Sequence, residues 1–246
     1  MLNEILYAII QSATEFLPVS SSGHLALFSN IISKKPDIFF FTALHLASLL
    51  AVIIFTRNEI FGLLTFKKEF RNLWIYLIIA TIPAALFGYF FAGFVESAFS
   101  SFLYLGIAFL FTGLILLSTK NAKPFSKLNP GNSLAIGLFQ ALTLFPGVSR
   151  SGITISSGLL FGLEREKAAK FSFLLFIPLS IGAFFLESKN FYFSFSLLVS
   201  FIICLVLSLV FLSLLLKIIK KKKFWTFSFY CFFLGILSLI IYFFFN

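Results

Sequence analysis

Charge is scarce in this sequence. Asp, Glu, Lys and Arg make up 11% of the 246 residues and only nine of them are acidic, against roughly 25% charged in an ordinary soluble domain. With 60% apolar residues, a water-soluble fold is excluded, and because the apolar blocks run from end to end no polar half is left for a second domain. The chain reads as one polytopic membrane domain over residues 1–246. Cysteine is limited to Cys204 and Cys231, both inside apolar blocks, which argues against a disulfide or metal framework. Two Trp and seven Tyr stand beside 39 Phe, so most aromatics pack or face lipid rather than form an interfacial belt. The N-terminus has neither a basic start nor a small-residue cleavage pattern, and no cleavable signal peptide is expected. The net charge of +10 sits in short loops between apolar blocks, where it sets topology; no nucleic acid is expected as a partner.

Uncharged runs of about 17–25 residues cross a hydrocarbon core as helix. Six candidates are Ile38–Thr56, Leu73–Val95, Ser97–Thr119, Phe171–Leu186, Asn190–Leu216 and Phe224–Asn246, with kinks or cavity-facing breaks expected at Pro83 and Pro178. Two further segments, Ile5–Ser33 and Leu128–Leu163, are longer than one span. They are broken near the middle by Pro18 and by Pro146-Gly147, and they carry ionisable residues that lipid rejects.

These two segments are related. At an offset of 129, Gln11-Ser-Ala-Thr-Glu-Phe-Leu-Pro-Val-Ser-Ser-Ser-Gly23 lies over Gln140-Ala-Leu-Thr-Leu-Phe-Pro-Gly-Val-Ser-Arg-Ser-Gly152 with seven of thirteen positions identical. The identities are polar, small or at the break, which shared hydrophobicity does not produce, so an internal duplication is expected. Loop charge then chooses the topology. If each segment is a helix–break–helix hairpin that leaves on the side it enters, loops 57–72, 120–132, 162–170 and 217–223 share one face and collect 15 basic residues. The other face then has Lys34, Lys35 and Lys189. If each segment crosses once, the split is 10 against 8. The positive-inside bias selects the hairpins. The expected fold is therefore an all-α integral membrane protein with six transmembrane helices and two re-entrant hairpins, at about 4–33 and 131–163, in an inverted-topology repeat. Both termini lie outside the cytoplasm, and the broken helices meet near the midplane.

Glu15, His24, His45 and Arg150 are the strongly ionisable side chains at depth. Intramembrane charge costs at least ~2.5–3.5 kcal/mol on insertion scales, so function is the default reading. In hairpin one, Gln11 and Glu15 share a helical face before the break, and Ser20-Ser21-Ser22-Gly23-His24 opens the returning half-helix. Hydroxyls cap orphan N–H groups, glycine admits close backbone approach, and a helix N-terminus favours an anion. Hairpin two repeats the device as Ser149-Arg150-Ser151-Gly152, with Thr154 one turn on; Arg150 adds a planar fork of donors suited to phosphate oxygens. Convergence of these groups points to phosphate chemistry rather than ion passage. The blander readings are that Ser/Gly clusters pack helices, that Glu15 and Arg150 form a structural ion pair, and that His45 is a satisfied packing residue. Glu4, Glu96 and the Lys220–Lys223 run read as interfacial.

At Thr14-Glu-Phe-Leu-Pro-Val-Ser-Ser-Ser-Gly-His24 and Pro146-Gly-Val-Ser-Arg-Ser-Gly-Ile-Thr154 the sequence closely resembles the undecaprenyl-diphosphate phosphatase family associated with bacitracin resistance, and the resemblance runs along essentially the whole chain. It implies removal of one phosphate from a C55 polyprenyl diphosphate to regenerate the monophosphate carrier of cell-wall synthesis, in a bacterial plasma (inner) membrane. It also implies six spanning helices with two re-entrant hairpins. By motif, Glu15 takes the second acidic position and Gln11 the first. Ser21 and His24 match the catalytic Ser and His, and Ser149, Arg150 and Thr154 match the phosphate-binding residues. Ser20, Ser22, Gly23, Ser151 and Gly152 complete the expected phosphate site. Ser12 stands where the family usually has Gly.

The resemblance also brings a divalent cation such as Mg2+ or Ca2+, which with Gln at position 11 leans on Glu15 and the diphosphate oxygens. The expected scheme has Arg150 and the half-helix N-termini hold the diphosphate while Ser21 attacks, with His24 or Glu15 taking its proton. Direct attack by water is the alternative. The expected partners are the polyprenyl diphosphate lipid, the bilayer and, as one alternative, a second copy in a homodimer. An inverted-repeat lipid transporter or flippase is the competing function class. A second membrane lipid-phosphatase family shares Ser-Gly-His, but no Arg here precedes a Pro and no His-x3-Asp follows Arg150, which sets it aside.

Overall fold

A computed structural model describes residues 2–31, 38–65, 67, 70–98, 101–187 and 193–245. Among these residues the regular structure is entirely helical: α1 (Leu2–Phe16), α2 (Ser21–Ile31), α3 (Ile38–Phe55), α4 (Arg57–Leu64), α5 (Arg71–Ala98), α6 (Phe102–Ser118), α7 (Pro130–Ala141), α8 (Arg150–Leu160), α9 (Arg165–Glu187), α10 (Phe195–Lys220) and α11 (Phe227–Phe245). Five helices are long and apolar enough to cross a membrane, within α5, α6, α9, α10 and the stretch Phe224–Phe244. A sixth span arises if α3 and α4, bent by 77°, count as one. The expected lysines at 34, 35 and 189 lie outside the described residues, as do the side chain of Glu96 and the ends Asn190 and Asn246 of two expected spans.

Three details differ from the sequence expectation. Residues 57–64 form a helix where a loop was expected. Thr56 turns its hydroxyl back to the Val52 carbonyl at 2.8 Å, the chain bends, and α4 buries Leu63 while Phe61 and Leu64 stay exposed; Trp74 Nε1 donates to the Leu63 carbonyl at 2.9 Å and closes its end. The fourth span starts at Arg165, six residues early. Its charged first turn is tolerated because Lys170 pairs with Glu59 at 2.8 Å and Lys220 with Glu166 at 2.9 Å, at the rim of the bundle. The backbone departure in α5 falls at Phe91 (φ −117°, ψ 16°) rather than at Pro83, and α9 continues through Pro178 as one helix.

The four basic loops meet at one end of the bundle. Besides the two ion pairs just named, Arg165 donates to the Ala122 carbonyl at 3.0 Å, Lys120 lies 4.8 Å from the Trp225 ring, and the amides of Phe125 and Ser126 both donate to Gly162 O. The chain segment entering α7 is thus bonded to the one leaving α8. The packing partners come in exchanged pairs: α1 lies on α10 and α7 on α5, α3 on α10 and α9 on α5, while α3 meets α9 and α6 meets α11. Where α6 crosses α11, a Cβ at Gly106 would come within 2.7 Å of Leu239, and a Cβ at Gly235 within 2.7 Å of Leu110. Glycine is required at both positions for the two helices to approach this closely.

Candidate active site

The polar face of α1 can be buried because its own carbonyls satisfy the hydroxyls. Ser12 Oγ donates to Ile9 O at 2.9 Å and Thr14 Oγ1 to Ile10 O at 2.6 Å. After Phe16 the chain turns at Leu17-Pro18-Val19, and Ser20 adopts φ 68°, in the left-handed region. That conformation costs a non-glycine residue on the order of 1–3 kcal/mol. The surroundings hold it: His24 Nδ1 donates to the Ser20 carbonyl at 2.7 Å, and Ser20 Oγ accepts from Gly23 N at 3.3 Å. In the second segment Ser149 caps α8 by accepting from Gly152 N at 3.1 Å, and the left-handed turn is taken by Gly147 at φ 90°. Thr112 on α6 donates to the Gly147 carbonyl at 3.2 Å, and Cys231 on α11 to the Pro18 carbonyl at 3.5 Å. Each break is thereby tied to one helix of the α6–α11 pair. Cys204 and Cys231 are free and buried.

The two breaks touch reciprocally. A Cβ at Gly23 would meet Gly147 Cα at 2.9 Å, and a Cβ at Gly152 would meet Pro18 Cβ at 3.3 Å. Beside this contact lies a cavity of about 270 Å³, walled by Glu15, Ser20, Ser21, Ser22, Ser149 and Arg150, together with Thr14, Thr42, His45, Thr143, Phe176 and the α9 segment through Phe184. The α9 wall belongs to the half of that helix remote from Arg165, so the cavity lies toward the end of the bundle away from the basic loops.

Glu15 is the hub. Arg150 pairs with its Oε1; its Oε2 accepts from Ser21 Oγ at 2.7 Å and from Gln11 Nε2 at 2.8 Å, and His45 Nδ1 lies 3.5 Å from the same oxygen. The Arg150 guanidinium stacks on Phe176 with its carbon 3.7 Å from the ring centroid, which fixes its plane. Ser21, the candidate nucleophile, therefore already donates to a buried carboxylate, with a guanidinium on that carboxylate's other oxygen.

The remaining expected site residues sit elsewhere. Gln11 is buried behind Glu15. His24 does not line the cavity: Tyr230 Oη donates to its Nε2 at 2.8 Å, and the two rings stack nearly parallel. Thr154 Oγ1 donates to Arg150 O at 2.8 Å and lies 2.6 Å from Ser172 Oγ, facing α9. Ser151 is buried against Leu17 O and Ser149 Oγ, and Gly23 and Gly152 form the contact between the two breaks rather than the cavity wall. His45, Thr42, Thr143, Phe176 and Tyr230 are the additions of the tertiary structure. Of these, His45 carried a sequence signal as the lone titratable group in an apolar span, and Thr143 as one of the identities between the two related segments, lying over Thr14.

Among the described residues no group of three or more His, Cys, Asp or Glu forms a metal cage. The cavity instead offers one carboxylate, Glu15, with the unbonded amide oxygen of Gln11 buried behind it. This arrangement fits an oxygen-seeking divalent cation only when diphosphate oxygens complete it.

Comparison with known proteins places the chain firmly. The family described as bacitracin resistance protein BacA matches residues 4–237. A protein of Thermosipho africanus named undecaprenyl-diphosphatase is 42% identical over 98% of this chain and 100% of its own length. Proteins of the same name from Methanococcus maripaludis and Caldicellulosiruptor bescii are 40% and 39% identical, over 94% and 97% of this chain and 96% of their own lengths.

Proposed function

The chain belongs to the bacitracin resistance protein BacA family, and from that premise we propose that it is a multi-pass membrane phosphatase that hydrolyses undecaprenyl diphosphate to undecaprenyl phosphate and inorganic phosphate. The observation that carries this reading is Ser21 Oγ donating to Glu15 Oε2 at 2.7 Å in a cavity that Arg150 also lines. The named relatives lend no support to the flippase alternative.

In this reading the terminal phosphate enters between the N-termini of α2 and α8, where backbone N–H groups and the Arg150 fork meet its oxygens. Ser21 Oγ attacks the terminal phosphorus and Glu15 Oε2 takes its proton. The bond from phosphorus to the bridging oxygen breaks, and undecaprenyl phosphate leaves. Water then attacks the phosphoserine, Ser21 regains a proton from Glu15, and phosphate departs. Arg150 stabilises the charge that gathers on the equatorial oxygens. Glu15 is the residue in reach for the proton transfer, whereas His24 braces the strained Ser20 carbonyl and so aims Ser21. A divalent cation, when bound, would neutralise diphosphate charge, and Glu15 is the cavity-lining residue that would hold it. Chelation then lowers turnover while the thermal unfolding of the protein without substrate stays unchanged.

The inverted repeat with two re-entrant hairpins is part of the proposal. Supporting it, the offset of 129 carries the contact Gly23–Gly147 onto Gly152–Pro18, and Gly106–Leu239 onto Gly235–Leu110, as a two-fold contact requires. The exchanged packing partners and the bond between the segments flanking α7 and α8 agree with it. With the basic end in the cytoplasm, both termini and the mouth of the cavity belong outside, where the protein recycles the carrier lipid of wall synthesis at the inner membrane. The test is phosphate release by the purified protein from undecaprenyl diphosphate in detergent. Absence of release with a folded protein would end the assignment.

A further inference from the structure

His45 has no place in the mechanism above, yet it lines the cavity with 41% of its side chain exposed, next to the buried Glu15 carboxylate. Its Nδ1 lies 3.2 Å from Gln11 Nε2. An amide nitrogen has only hydrogens to offer, so Nδ1 is the acceptor and the ring's proton resides on Nε2. Gln11 is itself fixed, because its other hydrogen goes to Glu15 Oε2 at 2.8 Å. The chain Glu15, Gln11, His45 therefore sets a tautomer, in the way that a partner on one ring nitrogen decides what the other presents.

We propose that His45 is a further substrate-binding residue of this site: an imidazole whose Nδ1 is held by the Gln11 amide and whose Nε2–H donates to the oxygens of the bound diphosphate. The inference rests on the phosphatase reading for its substrate. Three features favour a phosphate donor over a packing role. The ring lines the cavity that Ser21 and Arg150 share. Gln11 occupies Nδ1, which leaves Nε2 as the ring nitrogen free to meet a ligand. Finally, α3 also contributes Thr42 to the cavity lining, so the α3 side of the cavity is not purely apolar.

The chain contains two histidines, and the structure gives them opposite tautomers: His24 donates from Nδ1 to Ser20 O, whereas His45 accepts there. Ring-nitrogen spectra of the intact protein with 15N-labelled histidine, in detergent at alkaline pH, are expected to show one ring of each tautomer. The Nε2–H signal lost in a His45→Gln sample should shift when inorganic phosphate is added. In kinetics, His45→Phe keeps ring volume and loses the donor, so kcat/KM should fall about tenfold to a hundredfold, mainly through KM. His45→Gln, which restores an N–H donor, should recover much of that loss. A His45 ring protonated at Nδ1, or one indifferent to phosphate, overturns the proposal. So does His45→Phe with unchanged KM, or equal damage in the Phe and Gln variants, which would mark a packing role. Should the wild type release no phosphate, the phosphatase reading fails, while the tautomer and phosphate shift still decide whether His45 is an anion donor.

Discussion

Arg150→Lys isolates what the guanidinium plane contributes. In the native site this side chain pairs with Glu15 Oε1 and stacks on Phe176 at 3.7 Å, with 15% of its surface exposed. Lysine keeps the charge but has neither a plane to stack nor a second parallel donor. The lost stacking is about 0.5–2 kcal/mol in a desolvated setting, and the lost charge-assisted hydrogen bond to the transferring phosphate is about 1.5–3 kcal/mol. Together these amount to ~2–5 kcal/mol of transition-state stabilisation, or a drop in kcat/KM from about 30-fold to a few thousand-fold. The assay is the initial rate of phosphate release from undecaprenyl diphosphate in detergent micelles at low substrate. Lys123→Ala, a change to an exposed residue in a basic loop, serves as the control and should leave the rate unchanged. Thermal unfolding of the two variants in the same detergent separates misfolding from lost chemistry. A folded Arg150→Lys enzyme within about threefold of wild type would refute the clamp role.

Ser21→Ala should remove nearly all turnover but spare binding, and rapid quench of wild type with labelled substrate should trap phosphoserine at Ser21; substantial activity in the variant with no trapped intermediate would replace the covalent scheme by direct attack of water. Tyr230→Phe removes a 2.8 Å bond to His24 and should slow turnover by less than about tenfold, whereas His24→Ala frees the strained Ser20 turn and should cost far more. Equal losses would mean that the tyrosine takes part in the chemistry. Gly147→Ala places a Cβ 2.8 Å from Ala108 Cβ at φ 90°, so destabilisation of at least about 1–3 kcal/mol is expected, read as a lowered unfolding midpoint; an unchanged midpoint would contradict the close approach of the second break to α6. Because both native cysteines are buried, single-cysteine labelling has little background. Phe193→Cys should react in intact cells and Lys221→Cys only after permeabilisation, and the reverse pattern would invert the proposed orientation.

Several things about this protein were determined by its sequence alone, because each depends on composition or local order. Runs too apolar for water must become helices in lipid, where every backbone group needs an internal partner, and α3, α5, α6, α9, α10 and α11 lie where those runs are. The helix breaks at Pro18 and Pro146-Gly147 and the caps at Ser20 and Ser149 follow from local chemistry as well. Charges too costly for lipid without a partner marked Glu15 and Arg150. What the sequence left open depends on which faces meet. Whether Ser21 Oγ hydrogen-bonds to Glu15 or to His24 is decided by the turn at Ser20, which sends the His24 ring toward Tyr230, more than 200 residues away in sequence. Phe176 is one of 39 phenylalanines and becomes distinctive only once α9 lays it under Arg150. His45 is one histidine in an apolar helix until the packing of α1, α3 and α8 around one cavity brings it to Gln11. Local propensity and hydrophobicity fix which segments are helical and how deep they lie. The partner of each buried polar group is fixed only when non-local packing removes water and leaves it a single neighbour to bond.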